Sequence, residues 1–171
     1  MTRIIGIDPG SRCTGYGVID SDGFRHKYVG SGFVKIVGDE LPERLGMIFR
    51  EISLIIEKWQ PQMMGIEQVF VNKNVDSALK LGQARGAAIC AGTNAQLEVG
   101  EYTPRAIKKA VVGHGAADKE QIQKMIKLLL KLDFVPQSDE ADGLAIAICH
   151  ANHMNLKKLG IASKVRGGRW R

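Results

Sequence analysis

The chain has 171 residues, of which 44% are hydrophobic and 25% charged, and a formal net charge of +6. That size suits one domain able to bury about 70% of the surface its unfolded form exposes, and the composition excludes a disordered chain. No run approaches the ~18 apolar residues of a membrane span, and the N-terminus lacks the basic and apolar regions of a signal peptide, so a cytoplasmic location is expected.

Residues 3–8 and 14–20 read as two strands, and Asp20-Ser21-Asp22-Gly23 supplies the turn into a third over 25–36. Short turns between successive strands imply an antiparallel meander. The first strand ends in Ile7-Asp8-Pro9-Gly10, a carboxylate followed by a glycine turn. By itself this stretch suits either a phosphate cradle or a metal ligand.

The period then changes. Leu41, Leu45, Ile48, Phe49, Ile52, Ile55, Ile56 and Trp59 recur at helical spacing between Pro42 and Pro61. A short apolar strand over 63–66 follows and ends on Glu67. Residues 75–96 predict a long helix rich in Gly and Ala, a composition that costs helix propensity and implies close packing. A fifth strand is expected over 99–102. Thr103-Pro104 starts a helix that Gly113-His114-Gly115 stops, and Asp118 to Gln121 resembles a capping box before another. Pro136-Gln137-Ser138 caps a last helix expected to begin at Asp139. Together these elements predict an α/β fold with a five-stranded mixed sheet covered by helices on both faces.

Asp8 and Glu67 each end an apolar strand, and they meet at one sheet edge if those strands are neighbours. Asp139 and Asp142 are three apart at a helix start, so they share a face while Glu140 points elsewhere. Singly, each acid suits a turn or a helix's first turn. Four acids from three segments would repel one another without cations, and a pair of divalent ions ~3.5–4 Å apart needs about this many oxygens and suits in-line attack on a phosphodiester. Metal-assisted phosphoryl hydrolysis is the chemistry these acids point to. His26, His114, His150 and His153 show no metal-ligand spacing, and His150 and His153 are expected to pack. Cys13, Cys90 and Cys149 are odd in number and widely spaced, which favours reduced, mostly buried side chains.

Of the 24 basic residues, six lie in 157–171, where no acid occurs, so the 18 that precede them match the 18 acids. All of the charge excess therefore sits in a Gly-containing tail with Trp170. This divides the chain into a domain over 1–156 and a flexible tail over 157–171 suited to a polyanion, with a merely solubilising tail as the alternative.

The stretches GIDPGSRCTGYGVI, IEQVFVNKNVDSALKLGQARG and SDEADGLAIAI, in that order, closely resemble the RuvC-type Holliday-junction resolvases over residues 1 to about 150. The resemblance implies a ribonuclease-H-like fold and a homodimer that nicks four-way DNA junctions symmetrically in recombination and repair. It places the metal-binding catalytic acids at Asp8, Glu67, Asp139 and Asp142, with two Mg2+ ions, or Mn2+ in their stead. It also implies that Phe70 is inserted at the crossover and that Lys108 and Lys119 support catalysis and DNA binding. Lys119, beside the Gly113 to Ala117 loop, could meet a phosphate together with free backbone N–H groups. Lys73, Lys80 and Arg85 are weaker candidates for backbone contact, and a branch-migration motor complex is a further partner to test.

An actin-like or sugar-kinase-like ATPase shares the opening loop but needs a second domain and a second Asp-Gly phosphate loop, which this chain does not offer. A non-catalytic nucleic-acid binder gains nothing from clustered acids. A related nuclease acting on RNA or another DNA structure is the remaining alternative.

Overall fold

Three strands on tight connections open the fold in the computed structural model, which describes residues 1–69 and 75–158. They are β1 (Thr2–Asp8), β2 (Cys13–Ser21) and β3 (His26–Lys35), paired antiparallel in sequence. The β2–β3 turn is held by Asp22, whose Oδ1 accepts the N–H groups of Phe24 at 3.0 Å and Arg25 at 2.8 Å, while Gly23 takes φ 98°.

Helix α1 (Leu41–Trp59) follows, with Pro42 in its first turn and Gln60 closing it in the left-handed region. The chain returns through β4 (Met63–Glu67), α2 (Val75–Asn94) and β5 (Glu98–Tyr102). The sheet order is β3-β2-β1-β4-β5, with β1–β4 and β4–β5 parallel. Three helices complete the described fold: α3 (Pro104–Val112), α4 (Lys119–Leu129) and α5 (Ser138–Lys158). The expected Thr103 and Asp118 caps are both present, the second as a full capping box.

Strand alternation divides the core into two layers. Ile5, Ile7, Val18, Met64 and Ile66 pack with α1 and α2, whereas Ile4 and Ile19 pack with α3, α4 and α5. Burial of these aliphatic side chains on both faces, each contributing about 1.5–3 kcal/mol, is the main force holding helices to sheet.

Several boundaries differ from the sequence reading. Helix α2 ends at Asn94 because Gln96 turns through φ 60°. Its small residues differ in their surroundings: Ala84, Ala88, Ala91 and Gly92 are buried, but a Cβ on Gly82 or Gly86 would meet nothing within 4 Å among the described residues. Helix α5 starts at Ser138, and its cap is not the serine. Glu140 Oε2 accepts the Gln137 N–H at 2.9 Å, and the Gln137 carbonyl accepts the Ala141 N–H at 2.8 Å. The same helix runs through Lys158, past the boundary drawn from composition at residue 156. The remainder of the tail, with Trp170, lies outside the described residues, as does Phe70. Among the described residues no helix is long and apolar enough to cross a membrane.

Candidate active site

Neighbouring parallel strands bring the first two acids together. Ile7 of β1 pairs with Ile66 of β4, so Asp8 and Glu67 are the next residues on each strand. Because Ile7 and Ile66 face α1 and α2, alternation turns Asp8 and Glu67 toward the layer of α5.

The other two acids come from the first turn of α5, which can approach because the sheet is bare beneath it. A Cβ on Gly15 would stand 2.1 Å from the Asp139 carbonyl oxygen, and one on Gly17 would stand 2.4 Å from the Leu144 nitrogen. The backbone that these two glycines admit is that of α5. Gly10 similarly leaves room for the Cys13 carbonyl in the turn after Asp8.

As a result, carboxylate oxygens of Asp8, Asp139 and Asp142 lie within 4.8 Å of one another, all three residues being half-buried. Glu67 joins the group through a hydrogen bond with Asp8. The four acids singled out from three separated segments therefore converge. Their electrostatics match that crowding: burial, reinforced by Glu67 and Asp142, pushes Asp8 up to about 8. Burial also raises Glu67 and Asp142, the latter with help from Asp139. An all-carboxylate set of half-buried oxygens, short of positive charge, fits hard divalent cations such as Mg2+ or Mn2+.

Lys108 of α3 and Lys119 of α4 line a cavity of about 220 Å3 together with Glu67 and Asp142, floored by Ile107 and Ile122. Both lysines act against the rise in Asp142, and Lys108 does the same for Glu67. Lys119 Nζ also donates to Ser138 Oγ at 3.3 Å, at the start of α5. The N-terminus of α4 is less available to a phosphate than expected. Asp118 already accepts the Gln121 N–H at 2.8 Å and donates its own N–H to Gln121 Oε1 at 3.0 Å. A second cavity, of about 250 Å3, opens on the other side of Asp8 and Glu67 against Val69 and Leu81.

Two contacts escaped sequence reasoning. The Cys13 thiol donates to Asp139 Oδ2 at 3.1 Å, which no spacing pattern announces. Arg85, read as a weak candidate for DNA backbone contact, donates to the Glu67 carbonyl oxygen at 2.9 Å and pairs with Glu101. His150 and His153 behave as packing residues: His150 is buried with Nδ1 3.0 Å from Tyr102 Oη, and His153 Nδ1 lies 2.8 Å from the Cys149 carbonyl. Among the cysteines Cys149 is buried, but Cys90 is exposed, contrary to expectation.

Comparison with known proteins agrees with this geometry. The family model described as crossover junction endodeoxyribonuclease RuvC matches residues 4–150. The crossover junction endodeoxyribonuclease RuvC of Aliivibrio salmonicida is 55% identical over 169 residues, covering 99% of this chain and 97% of the relative. Among solved structures, RuvC of T. thermophilus in complex with a Holliday junction substrate superposes with a TM-score of 0.85 at 31% identity, covering 95% of this chain and 99% of that one. The yeast mitochondrial Holliday junction resolvase, 12% identical over 94% of this chain and 83% of its own, shares the ribonuclease-H-like fold with a TM-score of 0.65. The strands that align Asp8 with Glu67, the helix that delivers Asp139 and Asp142, and these matches along nearly the whole length make the chain a member of the RuvC family of crossover junction endodeoxyribonucleases.

Proposed function

We propose that the chain resolves four-way DNA junctions by two symmetric nicks, one in each active site of a homodimer, with two divalent ions held by Asp8, Glu67, Asp139 and Asp142. The observation that carries this reading is the meeting of Asp8, Asp139 and Asp142 oxygens within 4.8 Å, with Glu67 bonded to Asp8. It is supported by the solved relative whose description includes a Holliday junction substrate.

When bound, a pair of divalent ions would lower the pKa of the attacking water and stabilise the departing 3′ oxygen. Mg2+ is the ion of choice for an all-oxygen site, and Mn2+ can replace it. The protein's own part is to hold four carboxylates where their mutual repulsion favours cations. Asp8 titrates well above the usual carboxylate range, so it would have to give up a proton to hold a cation, and occupancy would fall in acid. Lys108 and Lys119, on the rim of the adjoining cavity, attract the phosphate flanking the scissile bond and help keep Asp142 ionised. Phe70, three residues beyond Glu67 and outside the described residues, is assigned the role of a wedge at the crossover.

The dimer is supported by a face of α2 that no other described residue covers. Val75 and Leu79 are 61% and 62% exposed, and Gly82 and Gly86 continue the same face with nothing within 4 Å of their Cβ positions among the described residues. Apolar and small side chains at this spacing suit close packing against a second copy. Cytoplasmic action on DNA fits a chain with no membrane-crossing helix among its described residues.

The test is a synthetic four-way junction offered to Asp8→Asn and Asp142→Asn. Nicking should disappear while gel-shift binding persists, and full activity in either variant would overturn the reading.

A further inference from the structure

Arg85 projects from α2, on the side of the sheet opposite α5, yet it reaches the end of the strand that carries Glu67. Its Nε donates to the Glu67 main-chain carbonyl at 2.9 Å, and its Nη2 pairs with the Glu101 carboxylate of β5. The side chain is only 18% exposed. Pairing between β1 and β4 ends at Ile7 and Ile66, so Glu67 stands one residue beyond the ladder on that side. On the other side the Gln68 N–H donates to the Tyr102 carbonyl at 2.8 Å. The peptide plane between residues 67 and 68 is thus pinned at both polar atoms, its oxygen by Arg85 and its N–H by β5.

We propose that Arg85 is a positioning residue for Glu67, and through it a determinant of divalent-ion affinity. This inference rests on the reading of the four acids as a metal site. Holding the carbonyl fixes ψ of Glu67, and with it the direction in which the carboxylate leaves the strand toward Asp8. An untethered strand end would let that carboxylate sample positions away from the shared site, and orienting contacts of this kind are worth about 10–100-fold in metal affinity or activity. Arginine suits the task because its planar fork serves the carbonyl and Glu101 at once, which a lysine ammonium on a flexible stem cannot do in fixed geometry. Pairing with Glu101 also balances the positive charge, so Arg85 adds little pull on a phosphate.

Mn2+ binding by the full chain, followed by electron paramagnetic resonance, tests this without relying on turnover. In Arg85→Gln and Arg85→Lys the dissociation constant for Mn2+ should rise about tenfold or more. The Mg2+ concentration for half-maximal nicking should rise with it, while junction binding in metal-free buffer and its salt dependence stay unchanged. Unchanged Mn2+ affinity with a shallower salt slope would make Arg85 a phosphate contact and overturn the proposal. If the Arg85 variants melt below the assay temperature, Glu101→Ala decides by the same measurement: a smaller loss of Mn2+ affinity supports the tether, and none overturns it. A wild-type chain that binds no Mn2+ would overturn the inference together with the metal-site reading beneath it.

Discussion

Gly15 of β2 lies so close to Asp139 of α5 that a Cβ built on it would stand 2.1 Å from the Asp139 carbonyl oxygen. Gly15 also pairs with Asp8 across the β1–β2 ladder. One hydrogen atom in place of a methyl group therefore sets how near the α5 acids come to the β1 acid. Gly15→Ala should push the start of α5 outward at an overpacking cost of about 1–3 kcal/mol. Nicking should fall at least tenfold, because misplacing reacting groups by ~1 Å can cost about 100-fold. Junction nicking and a thermal melt of the same variant check both effects, and wild-type activity would show that α5 can shift without penalty.

The acids should make the metal-free protein less stable as pH rises. Asp8 is pushed up to about 8 in the folded chain, against about 3.9 in an unfolded one. Between those values the folded chain holds the extra proton, so stability falls as pH rises from about 4 to about 8. Asp8→Asn removes the charge and should raise the melting temperature at pH 8 more than at pH 5, by about 2–4 °C for each 1 kcal/mol at this chain length. Added Mg2+ should raise the wild-type melting temperature at pH 8 and leave Asp8→Asn nearly unmoved. Melting curves at the two pH values, with and without Mg2+, decide it.

Lys108 and Lys119 line one cavity beside Asp142 and both act against the rise of its pKa. Replacing either with Ala should lower the nicking rate about tenfold or more and move the acid limb of the pH–rate profile upward. A variant with a reduced rate but an unmoved profile would confine the lysine to phosphate binding.

The three thiols should differ sharply toward an alkylating reagent. Cys90 is exposed. Burial and the adjacent Asp139 carboxylate push Cys13 up to about 11, and burial pushes Cys149 up to about 12, so both remain thiols at neutral pH. Peptide mapping after brief treatment at pH 7.5 should find label on Cys90 first. Equal labelling of Cys13 would mean that the Cys13–Asp139 hydrogen bond is open in solution.

Removing residues 159–171 takes away Lys164, Arg166, Arg169 and Arg171 and should weaken junction binding. The slope of log K against log salt should shrink by about 0.9 for each phosphate that the tail neutralises in the full chain. An unchanged slope would leave the tail as a solubilising segment.

Much of this molecule was legible in its sequence because the controlling interactions are local. Alternation along β1 and β4, the helical period of α1, the Thr103 and Asp118 caps and the turn at Asp22 each depend on neighbours a few residues away. The identity of the four acids was legible too, since each ends a strand or begins a helix and all four fall within stretches that resemble one family. Their meeting was decided by tertiary structure alone. It required β1 and β4 to pair in one register and α5 to settle on Gly15 and Gly17, and both depend on packing between distant segments. The same holds for Arg85 and Cys13. A charged or polar side chain carries no local mark of its partner, so sequence left Arg85 as a candidate for phosphate. Folding gave it the Glu67 carbonyl and the Glu101 carboxylate as partners.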